Sequence, residues 1–83
     1  MGRSAKIAIE HRDKFIELGL NITHYRKRAG LTQDQLAEKV GMSRTYLGDI
    51  EAPNMVTSFS LEMLFRIAAA LGVPASKLLE FRD

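Results

Sequence analysis

Apolar residues at Phe15, Leu18, Ile22 and Tyr25 recur at spacings of three and four, the period of a helix that buries one face. The stripe predicts a first helix starting near Asp13, whose side chain is placed to cap it. Gly30 ends it as a left-handed cap after Arg26-Lys27-Arg28 in the last turn, where cations complement the helix dipole. Thr32-Gln33-Asp34-Gln35 then has the spacing of a capping box, in which hydroxyl and amide side chains satisfy each other's backbone donors. A short second helix follows, broken at Gly41, and Ser43 caps a third of about two turns. Leu36, Val40, Met42, Leu47 and Ile50 fall on the faces these two helices turn toward each other, and Ala37 is small where they cross.

Ala52 to Ser60 reads as a loop with Pro53-Asn54 as its turn signal. Ser60 caps a fourth helix, Leu61 to Leu71, with Leu61, Leu64, Ile67, Ala68 and Leu71 facing inward. Gly72 stops it, and Pro74 sets up a short fifth helix, about Ala75 to Phe81. Before the first helix, Ile7 and Ile9 alternate among Arg3, Lys6, His11 and Arg12. Residues 1–12 are therefore a basic arm or a frayed helical extension, and residues 13–83 form one all-α domain of five helices.

With 83 residues and a hydrophobic fraction of 46%, the chain is an ordinary small globular domain with little core to spare, so self-association would help it. It has no cysteine, hence no disulfide framework and no thiolate metal site. No apolar run nears the ~20 residues a membrane span needs. Met1-Gly2-Arg3-Ser4 does not open a signal peptide, because no apolar stretch follows it. The expectation is a soluble, cytoplasmic protein. Net charge is only +2, unevenly spread: residues 1–30 carry seven Lys/Arg against three Asp/Glu, whereas residues 31–52 carry two against four. Attraction to a polyanion must then come from the N-terminal third and from helix ends.

Leu31 to Glu51 thus reads as two short helices around a tight turn, a helix-turn-helix, with the second helix placed to enter a DNA groove. The segment resembles the Cro/cI (Xre) family of helix-turn-helix repressors. Thr32-Gln33 opens helix two, Gly41 sits in the turn, and Ile50-Glu51 closes helix three at the family's offsets. The resemblance covers Phe15 to Phe81 and implies a five-helix lambda-repressor-like DNA-binding domain.

It also implies that the exposed start of helix three reads bases, which here means Arg44, Thr45 and Tyr46, with Asp49 one turn on. A guanidinium can take both O6 and N7 of guanine, and an acid can accept from cytosine N4. Thr45 can touch a thymine methyl or bond a phosphate. The bland alternatives are a solvated Arg44, a surface Thr45, a Tyr46 packed beside helix two and a solvated Asp49. Gly48, costly inside a helix, either lets the backbone approach the groove or is a tolerated surface glycine. The resemblance gives Gln33 a backbone-phosphate contact at the helix-two N-terminus, with Thr32 beside it and Ser43 at the next N-terminus. It further implies a partly buried salt bridge between Arg26 and Glu51, which leaves Lys27 or Arg28 to meet phosphates unless they are simply a solvated helix end.

The loop departs from the family: Ala52 to Phe59 contains no cation, so only Asn54 remains there as a phosphate contact. Met55, Val56 and Phe59 are expected by default to pack under the domain, the alternative being contact with a partner. His11 and His24 lie apart, without ligand-spaced neighbours, so no metal or cofactor is implied, and scattered carboxylates such as Glu17 and Glu62 suggest no acid–base pair and no enzyme. The reading is a sequence-specific transcriptional regulator of double-stranded DNA. A homodimer would use exposed apolar groups of helices four and five, such as Met63, Phe65, Leu79 and Phe81. With no sensor domain after the helices, no small-molecule ligand is expected, and control would come from protein concentration. The Arg44-Thr45-Tyr46 triple also resembles controller proteins of restriction–modification systems. The rival is an antitoxin or other interaction module, for which DNA binding would be secondary.

Overall fold

The computed structural model describes residues 7–81, and readings that fall on Arg3 and Lys6 lie outside the described residues. A 3-10 turn, Ile9–His11, leads directly into α1, Arg12–Arg28. The helix therefore begins one residue before Asp13, which lies in the first turn and not at the cap, while His11 at the cap position makes no side-chain bond. An acid in that turn still faces the positive end of the dipole.

Helices α2 (Gln33–Val40) and α3 (Arg44–Glu51) form around the turn the caps prescribe. Thr32 Oγ1 accepts from the Gln35 N–H at 3.1 Å, and the Gln35 side chain accepts from the Thr32 N–H at 2.8 Å, completing the capping box. Gly41 ends α2 at φ 84°, a left-handed conformation that only glycine adopts without a Cβ penalty. Two residues later Ser43 Oγ accepts from the Tyr46 N–H at 3.0 Å and starts α3.

Helix α4 spans Leu61–Leu71 behind its Ser60 cap, and α5 spans only Ala75–Leu78. The fifth helix stops three residues short of the predicted Phe81. The side-chain amide of Asn21 in α1 donates to the carbonyls of Leu78 (2.9 Å) and Glu80 (3.0 Å), meeting acceptors that a continuing helix would have used.

One core joins the five helices. Ile22, Leu36, Leu47, Ile67 and Leu78, one from each, are fully buried, each worth roughly 1.5–3 kcal/mol of apolar burial. Leu64, Ala68 and Leu71 face this core as predicted, but Leu61, in the first turn of α4, is 62% exposed. Met55 is likewise exposed, in contrast to the predicted packing, whereas Phe59 meets the Phe15 ring edge-on at 6.4 Å. The crossing of α1 and α3 is the tightest in the domain's glycine set: a Cβ on Gly19 would collide with the Ile50 carbonyl oxygen. Gly19 thus sets how close the helix bearing the candidate reading residues lies to α1.

Candidate nucleic-acid interface

The site is organised from below by Glu51, the last residue of α3. Its carboxylate receives the Arg26 guanidinium two-pronged, Nε to Oε2 and Nη2 to Oε1, both at 2.9 Å. The two side chains are 10% and 3% exposed, so the pair is buried, and its paired, parallel geometry is the strong form of such a contact. The remaining prong of Arg26 donates to the Leu31 carbonyl at 2.8 Å, fixing the α1–α2 connection. Gln33 Nε2 donates to Glu51 Oε1 at 2.9 Å. One carboxylate therefore ties α1, the start of α2 and the end of α3 together, and Arg26 is structural.

Beside this network a shallow groove along α3 brings Arg44, Thr45, Gly48 and Asp49 together with Thr23 of α1 and Gln33 of α2. Arg44 and Thr45 are exposed. The Arg44 Nε stands 3.6 Å from Asp34 Oδ1, across the helix-turn-helix, in an exposed pair. Such a contact contributes little to stability, so the guanidinium is available to another acceptor.

Tyr46 is placed differently from its neighbours. It is half-buried against the core, and its hydroxyl donates to the Ser58 carbonyl at 3.1 Å. This contact joins α3 to the loop before α4 and takes the hydroxyl away from the groove. Asp49 lines the groove, and its backbone carbonyl accepts from Thr57 Oγ1 at 3.5 Å, a long second tie to the same loop.

Thr32 and Ser43 are exposed caps at the N-termini of α2 and α3, where free backbone N–H groups favour a phosphate. The Gln33 amide reaches this edge already anchored on Glu51, which leaves its second N–H and its backbone N–H for an outside acceptor. Lys27 and Arg28 are exposed in the last turn of α1, and Asn54 is exposed in the loop, all outside the groove lining. Asn21 and Gly19, which position the scaffold, were not signalled by periodicity. A glycine in the middle of a strong apolar stripe is the sign that would have flagged the second.

Among the described residues no group of His, Asp and Glu is arranged to hold a metal ion, and no helix is long and apolar enough to cross a membrane. Every buried side-chain nitrogen and oxygen described has a hydrogen-bond partner. The surface that results is a shallow, polar one with an arginine and two helix N-termini, suited to lie against a polyanion.

Comparison with known proteins agrees with that geometry. A family model described as helix-turn-helix matches residues 22–78. The HTH-type transcriptional regulator SinR of Bacillus licheniformis is 38% identical over 66 residues, which is 80% of this chain and 59% of SinR. The chain thus spans about three fifths of that relative's length. The control protein C.SmaI of Serratia marcescens is 39% identical over 62 residues, 75% of this chain and 71% of C.SmaI. Among solved structures, that of SinR, the master regulator for biofilm formation, in complex with DNA aligns with a TM-score of 0.70 at 38% identity. That alignment covers 76% of this chain and 98% of the other.

Proposed function

This chain belongs to the helix-turn-helix family of Cro/cI (Xre) type, and from that premise we propose that it is a sequence-specific transcriptional regulator, not an enzyme, acting on double-stranded DNA in the cytoplasm. The observation that carries the proposal is the exposed first turn of α3, with Arg44 and Thr45 beside two capped helix N-termini and a buried Arg26–Glu51–Gln33 network fixing their orientation. Phosphates held at the starts of α2 and α3 would set the register, and base edges would be read by Arg44 and Thr45, with Asp49 farther along. Thr32, Gln33 and Ser43 serve the backbone. Lys27, Arg28 and Asn54 add outlying backbone contacts. Tyr46 contributes its half-buried ring edge and no free hydroxyl.

One α3 of eight residues touches too few base pairs for useful specificity, so the acting unit is a homodimer on a near-palindromic operator. Of the apolar groups predicted to join two copies, Phe65 and Leu79 are half exposed, whereas Met63 and Phe81 pack partly on the core. Phe65 and Leu79 are the better interface candidates. The resemblance to SinR and to C.SmaI supports a regulator in both cases, since each is named as a regulator or control protein.

Selection of bound sites from a random duplex library at physiological salt tests this. Enrichment of an inverted repeat with half-site centres about one helical turn apart is expected. Enrichment of no sequence would remove specific regulation and favour an interaction module such as an antitoxin.

A further inference from the structure

Arg44 leaves α3 in an unusual direction. Helical side chains lean toward the N-terminus of their helix, yet the Arg44 Nη1 lies 2.7 Å from the point where a Cβ on Gly48 would stand, one turn toward the C-terminus. A side chain at position 48 larger than hydrogen would occupy the place the guanidinium now takes. Two forces favour this path. The positive end of the α3 dipole repels a cation held at its first residue, and Asp34 Oδ1 attracts the Arg44 Nε at 3.6 Å from the α2 side.

We propose that Gly48 is a specificity-determining residue that acts, together with Asp34, by positioning Arg44. The absent Cβ is a slot on the surface of α3, and the guanidinium rests in it before DNA arrives. The inference rests on the reading of α3 as the base-reading helix. It adds that which base pair Arg44 reads, and how sharply, depends on a residue with no side chain. Gly48 and Asp49 both line the groove, so a guanidinium held over Gly48 lies nearer the C-terminal end of α3 than one extended from the helix start.

Gly48→Ala separates this positioning from folding. Alanine raises helix propensity by about 1 kcal/mol over glycine, and the atom it meets is the end of a flexible, exposed side chain. The variant should therefore melt no lower than the parent.

The test measures relative affinities for the selected site and its three single-base variants at the pair where Arg44→Ala loses preference. Gly48→Ala should change the discrimination at that pair by about three- to tenfold, a part of the roughly five- to 150-fold that a whole bidentate arginine contact supplies. Introduced into Arg44→Ala, it should change nothing there. Asp34→Asn removes a charge near phosphates and should tighten all sites, but should alter the preference at that pair, by about two- to fivefold, only while Arg44 is present. Unchanged discrimination in Gly48→Ala, or the same change without Arg44, overturns the positioning role and leaves DNA reading intact. A parent protein with no preference at any pair overturns both.

Discussion

At Glu51 a single buried carboxylate takes donors from α1 and α2, and its substitution or that of its partner has a cost larger than any surface contact in the interface. Arg26→Ala would leave that buried charge with the Gln33 amide as its remaining side-chain donor, and urea unfolding should show a loss of about 3–5 kcal/mol, a large share of a small domain's stability. A loss below about 1 kcal/mol would mean the pair is hydrated in solution. Because such a mutant weakens DNA binding by loosening the scaffold, its binding data alone say nothing of a phosphate contact. Gln33→Ala probes the backbone role, and because it also removes a donor from Glu51 its melting temperature is compared with the parent's. It should weaken binding to all sequences alike, by about two- to tenfold for one lost hydrogen bond. In anisotropy titrations against several duplexes, a loss confined to particular bases would contradict that role.

At the scale of elements, the spacing of caps and glycines was enough to locate four of the five helices to within a residue, since a capping box, a left-handed glycine and an Ser cap each act on the backbone locally. What local chemistry cannot convey is which neighbour an element meets. Leu61 fits the α4 stripe by period but is exposed, and beyond the end of α5 the chain is held by Asn21, far away in sequence, which donates to the Leu78 and Glu80 carbonyls. The site was legible in the same measure. The resemblance picked out Arg26 with Glu51 and the start of α3, but not the Gln33–Glu51 bond, the Tyr46–Ser58 tie or the path of Arg44 over Gly48. Those depend on how α1, α2 and α3 cross. Gly19 controls that crossing. Gly19→Ala should lower the melting temperature although alanine favours the helix by about 1 kcal/mol, because its methyl meets backbone that cannot swing aside. A stabilised variant would show that α1 and α3 are farther apart than described here.

On the scale of the whole molecule, the domain measures 33 × 32 × 21 Å, close to the roughly 34 Å that separates successive major grooves on one face of DNA. A homodimer of the proposed kind would place its two α3 helices about that distance apart. Phe65, 52% exposed on α4, is the proposed contact between such copies. Phe65→Asp should shift sedimentation equilibrium toward monomer and weaken binding to an inverted repeat far more than to a single half-site. An unchanged association constant would move the interface elsewhere, with Leu79 the next candidate.

In the proposed complex α3 lies in the major groove with Arg44 on a guanine. Methylation interference on the selected operator tests it most directly, because a methyl group on guanine N7 blocks a major-groove acceptor that a guanidinium needs. The account predicts interference at one guanine per half-site, the two about a helical turn apart, and loss of that interference in Arg44→Ala. Interference confined to adenine N3 in the minor groove, or a guanine signal that persists without Arg44, would contradict it.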